Sequence, residues 1–365
     1  SSHDADMYYA TRFFASDSFT YLQTKDADEI LFISEMERGR AEMESRISYI
    51  RTTDEYGYKS KVKARGDPAL GYVDCLAELL QKKDIRKIAV PRHFPLFTAQ
   101  TLKEEGFTVM PIKSPLREMR MKKDETEIEH ITSVQHACET AMQSAIDMIQ
   151  NAIVTDDILY HNGYTMTSDQ VRAEIEHTLL DMGCEADSTI VACGKKSSNP
   201  HWEGEGAILA NEPIVIDIFP RNKKSRYYAD MSRTVLKGKP SKELADMYSA
   251  VIAAQDAAFA QVKIGAKCSD IHNAVCDAFD EMGYDTIRND SKVGFIHSTG
   301  HGVGLDIHEL PNVGDNNSVL EEGNVITIEP GLYYPDIGGI RIEDMIVVTK
   351  DGYKNLTGFE KDFVV

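Results

Sequence analysis

Acidic side chains stand inside otherwise apolar stretches of this 365-residue chain at four places. They lie in Ile-Val-Ile-Asp-Ile-Phe, Tyr-Ala-Asp-Met, Ile-Thr-Ile-Glu-Pro-Gly and Ile-Arg-Ile-Glu-Asp, as Asp217, Asp230, Glu329 and Glu343. Burying a carboxylate without a partner costs several kcal/mol, so a cationic partner is needed. Arg233 and Arg341 could pair with two of them, but these segments hold too few bases for all four. A hard divalent cation, which binds several oxygens at once, explains the set better.

Histidines are concentrated in the same part of the chain. His297, His301 and His308 lie within twelve residues, and His201 precedes the apolar stretch that contains Asp217. The glycines at 300, 302 and 304 would let the backbone approach a site closely. Three histidines in so short a run are hard to explain as scattered core residues, and imidazole is a common metal ligand. The histidines therefore strengthen the prediction of a metal site.

Nucleotide, nucleic-acid and membrane binding are poorly supported. The glycines at 300–304 have the wrong spacing for a dinucleotide motif, and residues 189–197 depart from a P-loop at its first glycine and its Ser/Thr. The net charge is −19, with 40 Lys+Arg against 59 Asp+Glu. Such a charge repels nucleic-acid phosphates and anionic lipid. In addition, no apolar run approaches the ~18 residues of a membrane span. From the charge and the lack of such a run, we expect neither nucleic acid nor a membrane as a partner.

The chain is long enough for two domains. Its first third alternates apolar runs with polar helical stretches, which is typical of a small α/β layer domain. Pro111 and Pro115 bracket a break before the charged run 117–125, so we place the domains at 1–115 and 116–365. Six cysteines are scattered without a Cys-x-x-Cys pair, which predicts reduced, mostly buried thiols and a cytoplasmic protein.

The second domain is predicted to contain four helices and two pairs of strands. Apolar spacing of three and four residues predicts a helix over 124–150. Cap signals predict three more, beginning after Thr167, Ser241 and Ser269. Alternating patterns predict strands over 213–219, 227–236, 325–329 and 340–348. The turn-rich links within each pair indicate antiparallel pairing.

In chain order, the metal-binding candidates resemble the five ligands of the pita-bread metallopeptidases: Asp217, Asp230, His301, Glu329 and Glu343. The resemblance is strongest to the proline-specific branch, meaning Xaa-Pro dipeptidase (prolidase) and aminopeptidase P. It covers the chain from about Arg117 onward, with His-x-x-Gly-His-Gly-x-Gly at 297–304 and Gly-Ile-Arg-Ile-Glu-Asp at 339–344. It implies an α/β N-terminal domain and an α+β pita-bread catalytic domain with a curved antiparallel sheet.

The N-terminal third and one hairpin depart from the family pattern. Residues 7–13 are similar to a creatinase-type N-terminal domain entered late, so its opening helix and strand are expected to be missing. Asp217 and Asp230 stand thirteen residues apart, where family members usually show eleven, and Phe219 takes a place often held by glycine. A hairpin tip longer by two residues, at 221–224, would absorb the difference without moving either aspartate.

The resemblance implies two divalent ions that share Asp230 and Glu343 as bridging ligands. Asp217 would complete the set of one ion, and His301 with Glu329 the set of the other. Manganese or cobalt is favoured, with iron or zinc as alternatives. The ions would activate a water and polarise the scissile carbonyl, while Glu329 carries the proton to the leaving nitrogen. The remaining roles are oxyanion stabilisation by His308, substrate orientation by His201 and His297, and, for Arg341, holding a carboxylate of either the site or the substrate.

The resemblance further implies a small peptide substrate with proline in second position, and a homodimer. The fourteen-residue step from Glu329 to Glu343 is similar to prolidases and favours dipeptides, whereas aminopeptidase P acts on longer peptides and often carries an insertion there. Non-catalytic pita-bread proteins and creatinase lack an intact ligand set, and methionine aminopeptidase usually lacks the N-terminal domain. A metal-dependent Xaa-Pro peptidase is the predicted function, with a non-catalytic interaction module as a remote alternative.

Overall fold

The computed structural model describes residues 4–365 of the chain. The chain divides into two compact units, Ser1–Met119 and Arg120–Val365, close to the boundary that the sequence places after residue 115. Among the described residues, no helix combines the length and the apolar character needed to cross a membrane.

The first unit alternates strands and helices. Its elements are α1 (Ala5–Thr11), β1 (Thr20–Gln23), β2 (Glu29–Ile33), α2 (Arg38–Glu44), β3 (Ile50–Thr52), α3 (Tyr58–Arg65), α4 (Pro68–Lys82), β4 (Lys87–Pro91), α5 (Leu96–Glu104) and β5 (Thr108–Ile112), followed by α6 (Pro115–Arg120). Strand β2 pairs antiparallel with β1 and parallel with β3, and β4 pairs parallel with β5. Successive side chains of β2 face opposite sides, because Phe32 packs with Leu76 while Leu31 and Ile33 pack with Ala41. This confirms the predicted α/β layering.

The second unit contains four longer helices: α7 (Glu125–Gln150), α8 (Ser168–Asp181), α9 (Lys242–Phe259) and α10 (Cys268–Glu281). The predicted Thr167 capping box and the Ser241 cap are both present. The prediction that Ser269 caps α10 is wrong, because Lys267 is the N-cap residue and makes no side-chain capping bond. Lys267 bridges Val319, which holds the chain extended up to that residue and places Ser269 inside the first turn.

Most strands of the second unit form antiparallel sheets. They are β6 (Ile153–Thr155), β7 (Ile158–His161), β8 (Tyr164–Thr165), β9 (Cys184–Glu185), β10 (Ile190–Cys193), β11 (Ile214–Ile218), β12 (Arg221–Asn222), β13 (Met231–Val235), β14 (Gly300–Gly302), β15 (Glu309–Val313), β16 (Val325–Ile328), β17 (Gly331–Tyr334), β18 (Gly338–Arg341), β19 (Asp344–Thr349) and β20 (Gly352–Asn355). The two main sheets have the orders β10-β11-β13 and β15-β14-β16-β19-β20, and β17 pairs with β18. The predicted antiparallel pairing is confirmed for β11 with β13 and for β16 with β19.

Two predicted strands differ from those observed. The strand expected over 227–236 begins only at Met231, because Tyr227 and Tyr228 pair with Asn222 and Arg221 of the short strand β12 instead of with β11. The strand expected over 340–348 is interrupted at residues 342–343, between β18 and β19. There the hairpin β17–β18 leaves the β16–β19 ladder, so one long hairpin is divided into two paired segments.

Helices α9 and α10 share the core that supports the larger sheet. Val251, Val275, Ile326 and Ile346, one from each of α9, α10, β16 and β19, have no exposed surface and belong to one apolar cluster. Each fully buried side chain of this kind contributes about 1.5–3 kcal/mol relative to exposure. The sheet is therefore fixed from behind by two helices.

A buried ion cluster anchors the loop between β14 and β15. The Glu309 carboxylate accepts a hydrogen bond from Lys123 Nζ at 3.0 Å and forms an ion pair with Arg120 Nη2 at 3.1 Å. It also accepts the backbone N–H of Asp306 at 3.0 Å. Lys123 and Glu309 each have 1% of their side chains exposed, so the charges are paired away from water. The residues 303–308 are thus tied to the segment before α7.

We expect Lys123→Met to lower the free energy of unfolding by about 3–5 kcal/mol, because it leaves the buried Glu309 carboxylate with one cation fewer. Lys122→Met is the matched control, since Lys122 is 59% exposed and lies 4.0 Å from Glu321. Such surface pairs contribute about 1 kcal/mol or less. Urea denaturation of both variants measures the difference, and equal losses would contradict the prediction.

Candidate metal centre

Strands β11 and β13 bring two aspartates to one end of their sheet. Asp217 lies in β11 opposite Ser232, and Asp230 immediately precedes β13. The link between the strands contains an Asx turn in which Asn222 Oδ1 accepts the N–H groups of Lys224 and Ser225, both at 2.9 Å. The link between the two strands thus closes in a tight turn at residues 222–225.

Glu329 and Glu343 lie where the second long hairpin is interrupted. Ile328 pairs with Asp344 at the end of one ladder, and Gly331 pairs with Arg341 at the start of the next. Between them the two glutamates face each other across the break. The N–H of Glu343 donates to Ser232 O at 3.0 Å, and the N–H of Glu329 to Thr299 O at 2.8 Å. At the break, the backbone of Glu343 is thus bonded to β13 of the smaller sheet, and that of Glu329 to the residue directly before β14 of the larger sheet.

His301 reaches the same place from β14. Its Nε2 lies 3.5 Å from Asp230 Oδ2 and 3.5 Å from Glu329 Oε1. Ligand atoms of Asp230, His301 and Glu343 all lie within 4.8 Å of one another. A side chain at position 300 would place its Cβ 2.0 Å from Thr327 O, so glycine there lets β14 pack against the neighbouring strand. Four of the five predicted ligands thus converge directly.

Asp217 joins this group through Arg341. The Arg341 guanidinium is buried and donates to Asp217 Oδ2 at 2.6 Å, Ser232 Oγ at 2.9 Å and Tyr333 Oη at 2.8 Å. Ser232 Oγ in turn donates to Glu343 Oε2 at 2.9 Å. Of the alternatives named for Arg341, a carboxylate of the site is the contact observed.

The carboxylates strongly perturb one another. Burial raises the pKa of Asp230 and of Glu329 well above the ordinary value, and the negative charge of Glu343 raises both further. Burial and the charge of Asp217 raise the pKa of Glu343 to about 8. Burial also lowers the pKa of His301 to about 3, which keeps its imidazole neutral and able to act as a ligand. The negative charge of these buried carboxylates is therefore not balanced by the positively charged side chains of the protein alone.

The hydrogen bonds of the cluster leave room for a cation. Asp217 Oδ1 and Glu343 Oε1 are buried and have no hydrogen-bond partner among the described residues. Buried polar atoms are nearly always satisfied, so orphaned carboxylate oxygens indicate a missing partner. Carboxylate oxygens with one neutral imidazole are donors for hard or borderline divalent ions. The donor set fits a divalent metal.

The other predicted histidines lie around this cluster. His308 is exposed, with its ring 4.3 Å from that of His301. The half-buried His297 contacts Tyr333 Oη through Nε2 at 3.1 Å, and burial lowers its pKa to about 4. His201 is exposed and lies near enough that its charge would lower the pKa of both His297 and His308. All three therefore border the carboxylate cluster.

Sequence reasoning missed several residues that support the site. Tyr333 links His297 to Arg341, and Ser232 links Arg341 to Glu343. Cys138, on the predicted buried face of α7, lies behind the cluster: burial raises the pKa of its thiol, and the aspartate and glutamate charges raise it further. A buried serine between strand residues gives no signal in the sequence. The only sequence signal for Tyr333 is its position in the turn-rich link of the second predicted strand pair.

The raised carboxyl pKa values predict how the metal-free protein responds to pH. Above about pH 7.5, the folded protein still binds part of the proton of the Glu343 carboxyl, whereas this carboxyl is fully ionised in the unfolded chain. The folded state then binds more protons, so its stability falls as pH rises. The histidines with lowered pKa oppose this trend near pH 6.5, where they are half protonated in the unfolded chain, but not above about pH 7.5, where they are almost entirely neutral in both states.

Thermal unfolding of chelator-treated protein at pH 7.5 and pH 8.5 measures this slope. Protein saturated with Mn²⁺ is the control, because a bound cation favours the ionised carboxylates and should remove or reverse the fall. A metal-free protein that is equally stable at both pH values would contradict the prediction.

Two family models match this chain. Residues 129–350 match metallopeptidase family M24, and residues 1–122 match the creatinase/prolidase N-terminal domain. The Xaa-Pro dipeptidase of Pyrococcus horikoshii is 34% identical over 253 residues, which are 68% of this chain and 66% of that protein.

Solved structures share the fold over nearly the whole chain. The prolidase from Pyrococcus horikoshii OT3 has a TM-score of 0.80 and 28% identity, covering 98% of this chain and 93% of that one. The X-Pro aminopeptidase from Thermotoga maritima MSB8 has a TM-score of 0.82 and 27% identity, covering 100% and 95%. The predicted fold class, with an N-terminal creatinase-type domain and a pita-bread catalytic domain, is confirmed. The chain belongs to metallopeptidase family M24.

Proposed function

We propose that this metallopeptidase hydrolyses the Xaa-Pro bond of dipeptides with two divalent cations. The observation that carries the proposal is the convergence of buried carboxylates with His301, in which Asp217 and Glu343 retain orphaned oxygens. The similarity to an Xaa-Pro dipeptidase and to a prolidase structure supports the substrate class. Proline in second position makes the scissile nitrogen part of a ring, so the leaving group is an imino nitrogen.

The ligand set proposed for the cations is the one expected from the family. Asp230 and Glu343 would be shared by both ions, with Asp217 on one side and His301 and Glu329 on the other. Bound cations of this kind polarise a carbonyl and lower the pKa of a water. Manganese or cobalt is the proposed occupant, with iron or zinc as alternatives, because the donors are mainly carboxylates.

Glu329 is the proposed proton carrier. Its side chain is 17% exposed, so one edge faces the open side of the cluster, where a substrate and a water would lie. The Thr327 hydroxyl donates to Glu329 Oε1 over a long distance of 3.5 Å. A loosely held carboxylate at the open side of the cluster can accept a proton from the attacking water and return it to the proline nitrogen.

The histidines would act on the substrate. His308 is partly exposed, and the partial burial of its ring lowers its pKa, so the N–H of the neutral ring can donate to the oxyanion that forms at the scissile carbonyl. His297 and His201 border the same opening and would orient the peptide. Arg341 would hold Asp217 in place, so that the carboxylate presents its other oxygen to the cation.

Hydrolysis assays with defined metals test the proposal. Chelator-treated protein is supplied with Mn²⁺ or Co²⁺ and given Ala-Pro, Ala-Ala and Ala-Pro-Ala. Hydrolysis of Ala-Pro alone supports the dipeptidase. Faster hydrolysis of Ala-Pro-Ala would assign the aminopeptidase P reaction, and equal cleavage of Ala-Ala would remove the proline preference. No cleavage of any peptide by folded, metal-loaded protein would overturn the proposal.

Assembly and location are further proposals. We infer a homodimer in which the N-terminal domain of one copy restricts access to the other copy's site, as the family resemblance implies. Sedimentation at micromolar concentration tests it, and a monomer would contradict it.

A cytoplasmic location is supported by the six free cysteines, five of them buried. Cell fractionation tests this location.

A further inference from the structure

Helix α9 carries one buried amide on an otherwise apolar face. Gln255 is 1% exposed and lies among Val251, Ala254 and Ala258, all buried. Burying an amide costs free energy unless its donors and acceptor are bonded. The hydrogen-bond partners of the Gln255 amide therefore show which chain segments helix α9 holds in place.

The Gln255 amide bridges the two edges of the strand break. Its Nε2 donates to Ile328 O at 2.9 Å and to Ile342 O at 3.3 Å. Each of these carbonyls belongs to the residue directly before a site carboxylate, Glu329 in one case and Glu343 in the other. One side chain thus holds both chain segments at the point where the ladder between them is interrupted.

The orientation of the amide is set from its other end. Lys361 Nζ donates to Gln255 Oε1 at 2.6 Å and pairs with Asp344 Oδ2 at 2.7 Å. Because the amide oxygen accepts from a cation, its NH₂ group must face the two carbonyls. Arg233 adds a second support, since it donates to Glu343 O at 2.7 Å and to Asp344 Oδ1 at 2.8 Å.

We propose that Gln255, oriented by Lys361, is a positioning residue that sets the separation of Glu329 and Glu343 for metal binding. The inference rests on the proposed function, because it assumes that these glutamates bind cations. Hydrogen bonds across the break replace those that the ladder does not make there. With the carbonyls fixed, each carboxylate begins from a defined backbone position, which lowers the cost of gathering like charges around an ion.

The test measures Mn²⁺ binding to chelator-treated protein by titration calorimetry. Gln255→Met keeps the length of the side chain but removes both donors and the acceptor. Changes in groups that orient metal ligands typically cost 10–100-fold in affinity, and we expect a loss of at least about tenfold here. Lys361→Met removes the orienting bond together with the ion pair to Asp344. Because Lys361 is 28% exposed and Asp344 keeps its ion pair with Arg233, the variant should fold. We expect a smaller loss in the same direction.

Tyr248→Phe is the matched control on the same helix. Tyr248 Oη donates to Lys361 O at 2.9 Å, so the change removes one bond to the Lys361 backbone but keeps the Lys361 ammonium and the bonds of the Gln255 amide across the break. Its Mn²⁺ affinity should equal that of the wild type. If Gln255→Met does not fold, Lys361→Met decides: reduced affinity supports the inference and wild-type affinity overturns it.

Three further outcomes would overturn this inference, either alone or together with the proposed function. Wild-type protein that hydrolyses Ala-Pro while Gln255→Met binds Mn²⁺ within twofold of it would overturn the inference alone. A loss in Tyr248→Phe equal to that in Gln255→Met would also overturn it, since general loosening would then explain both. Wild-type protein that neither binds Mn²⁺ nor cleaves Ala-Pro would overturn both proposals.

Discussion

Glu329→Gln is expected to lower kcat on Xaa-Pro dipeptides by about 10²- to 10⁴-fold, the range that general acid–base catalysis contributes. The amide has nearly the shape of the carboxyl and keeps an oxygen that can act as a ligand, but it cannot accept and return a proton. The effect should therefore fall mainly on kcat.

The measurement compares kcat and KM at saturating Mn²⁺, with metal content determined on the same samples. Glu322→Gln provides the same chemical change on a side chain that is 48% exposed, in the turn before β16, and should leave both constants unchanged. If Glu329→Gln retains bound metal and loses less than tenfold in kcat, the proton is carried by another group.

Much of the supporting fold follows from local sequence signals. The periodic apolar stripe of α7 and the cap of α8 at Thr167 depend on neighbours a few residues away, so they are legible in the sequence. The start of α10 is not, because Lys267 is held extended by Val319, a residue far along the chain. A contact of that kind forms only when the chain has folded, so the local sequence does not show it.

The acidic strand residues predicted the site because their burial conflicts with local preference. Asp217 and Glu343 stand out in apolar runs for that reason, and the structure leaves an oxygen of each without a partner. The strand break that presents Glu343 was not predicted, since the pattern around it continues to alternate. Contacts such as that of Arg341 with Ser232 join segments over a hundred residues apart, so they leave no local signal in the sequence. A serine in a strand is also not unusual in the way that a carboxylate in an apolar strand is.

Exchanging His308 and His301 in turn should separate catalysis from metal binding. His308→Ala is expected to lower kcat by about 10²- to 10³-fold while retaining metal, because a donor aimed at developing charge acts chiefly in the transition state. His301→Ala should instead lose metal, since its Nε2 lies 3.5 Å from carboxylate oxygens of both Asp230 and Glu329.

The two rings are close enough that position alone does not assign these roles. They meet edge to face at 4.3 Å, yet His301 is 8% exposed and His308 faces the solvent. A buried neutral imidazole among carboxylates needs a cation on its lone pair, whereas an exposed one is free to meet a substrate. Metal content, melting temperature and kcat of both variants decide between the roles. Equal metal loss in the two would refute this division, and a His308→Ala variant that loses thermal stability together with activity would show that His308 is structural.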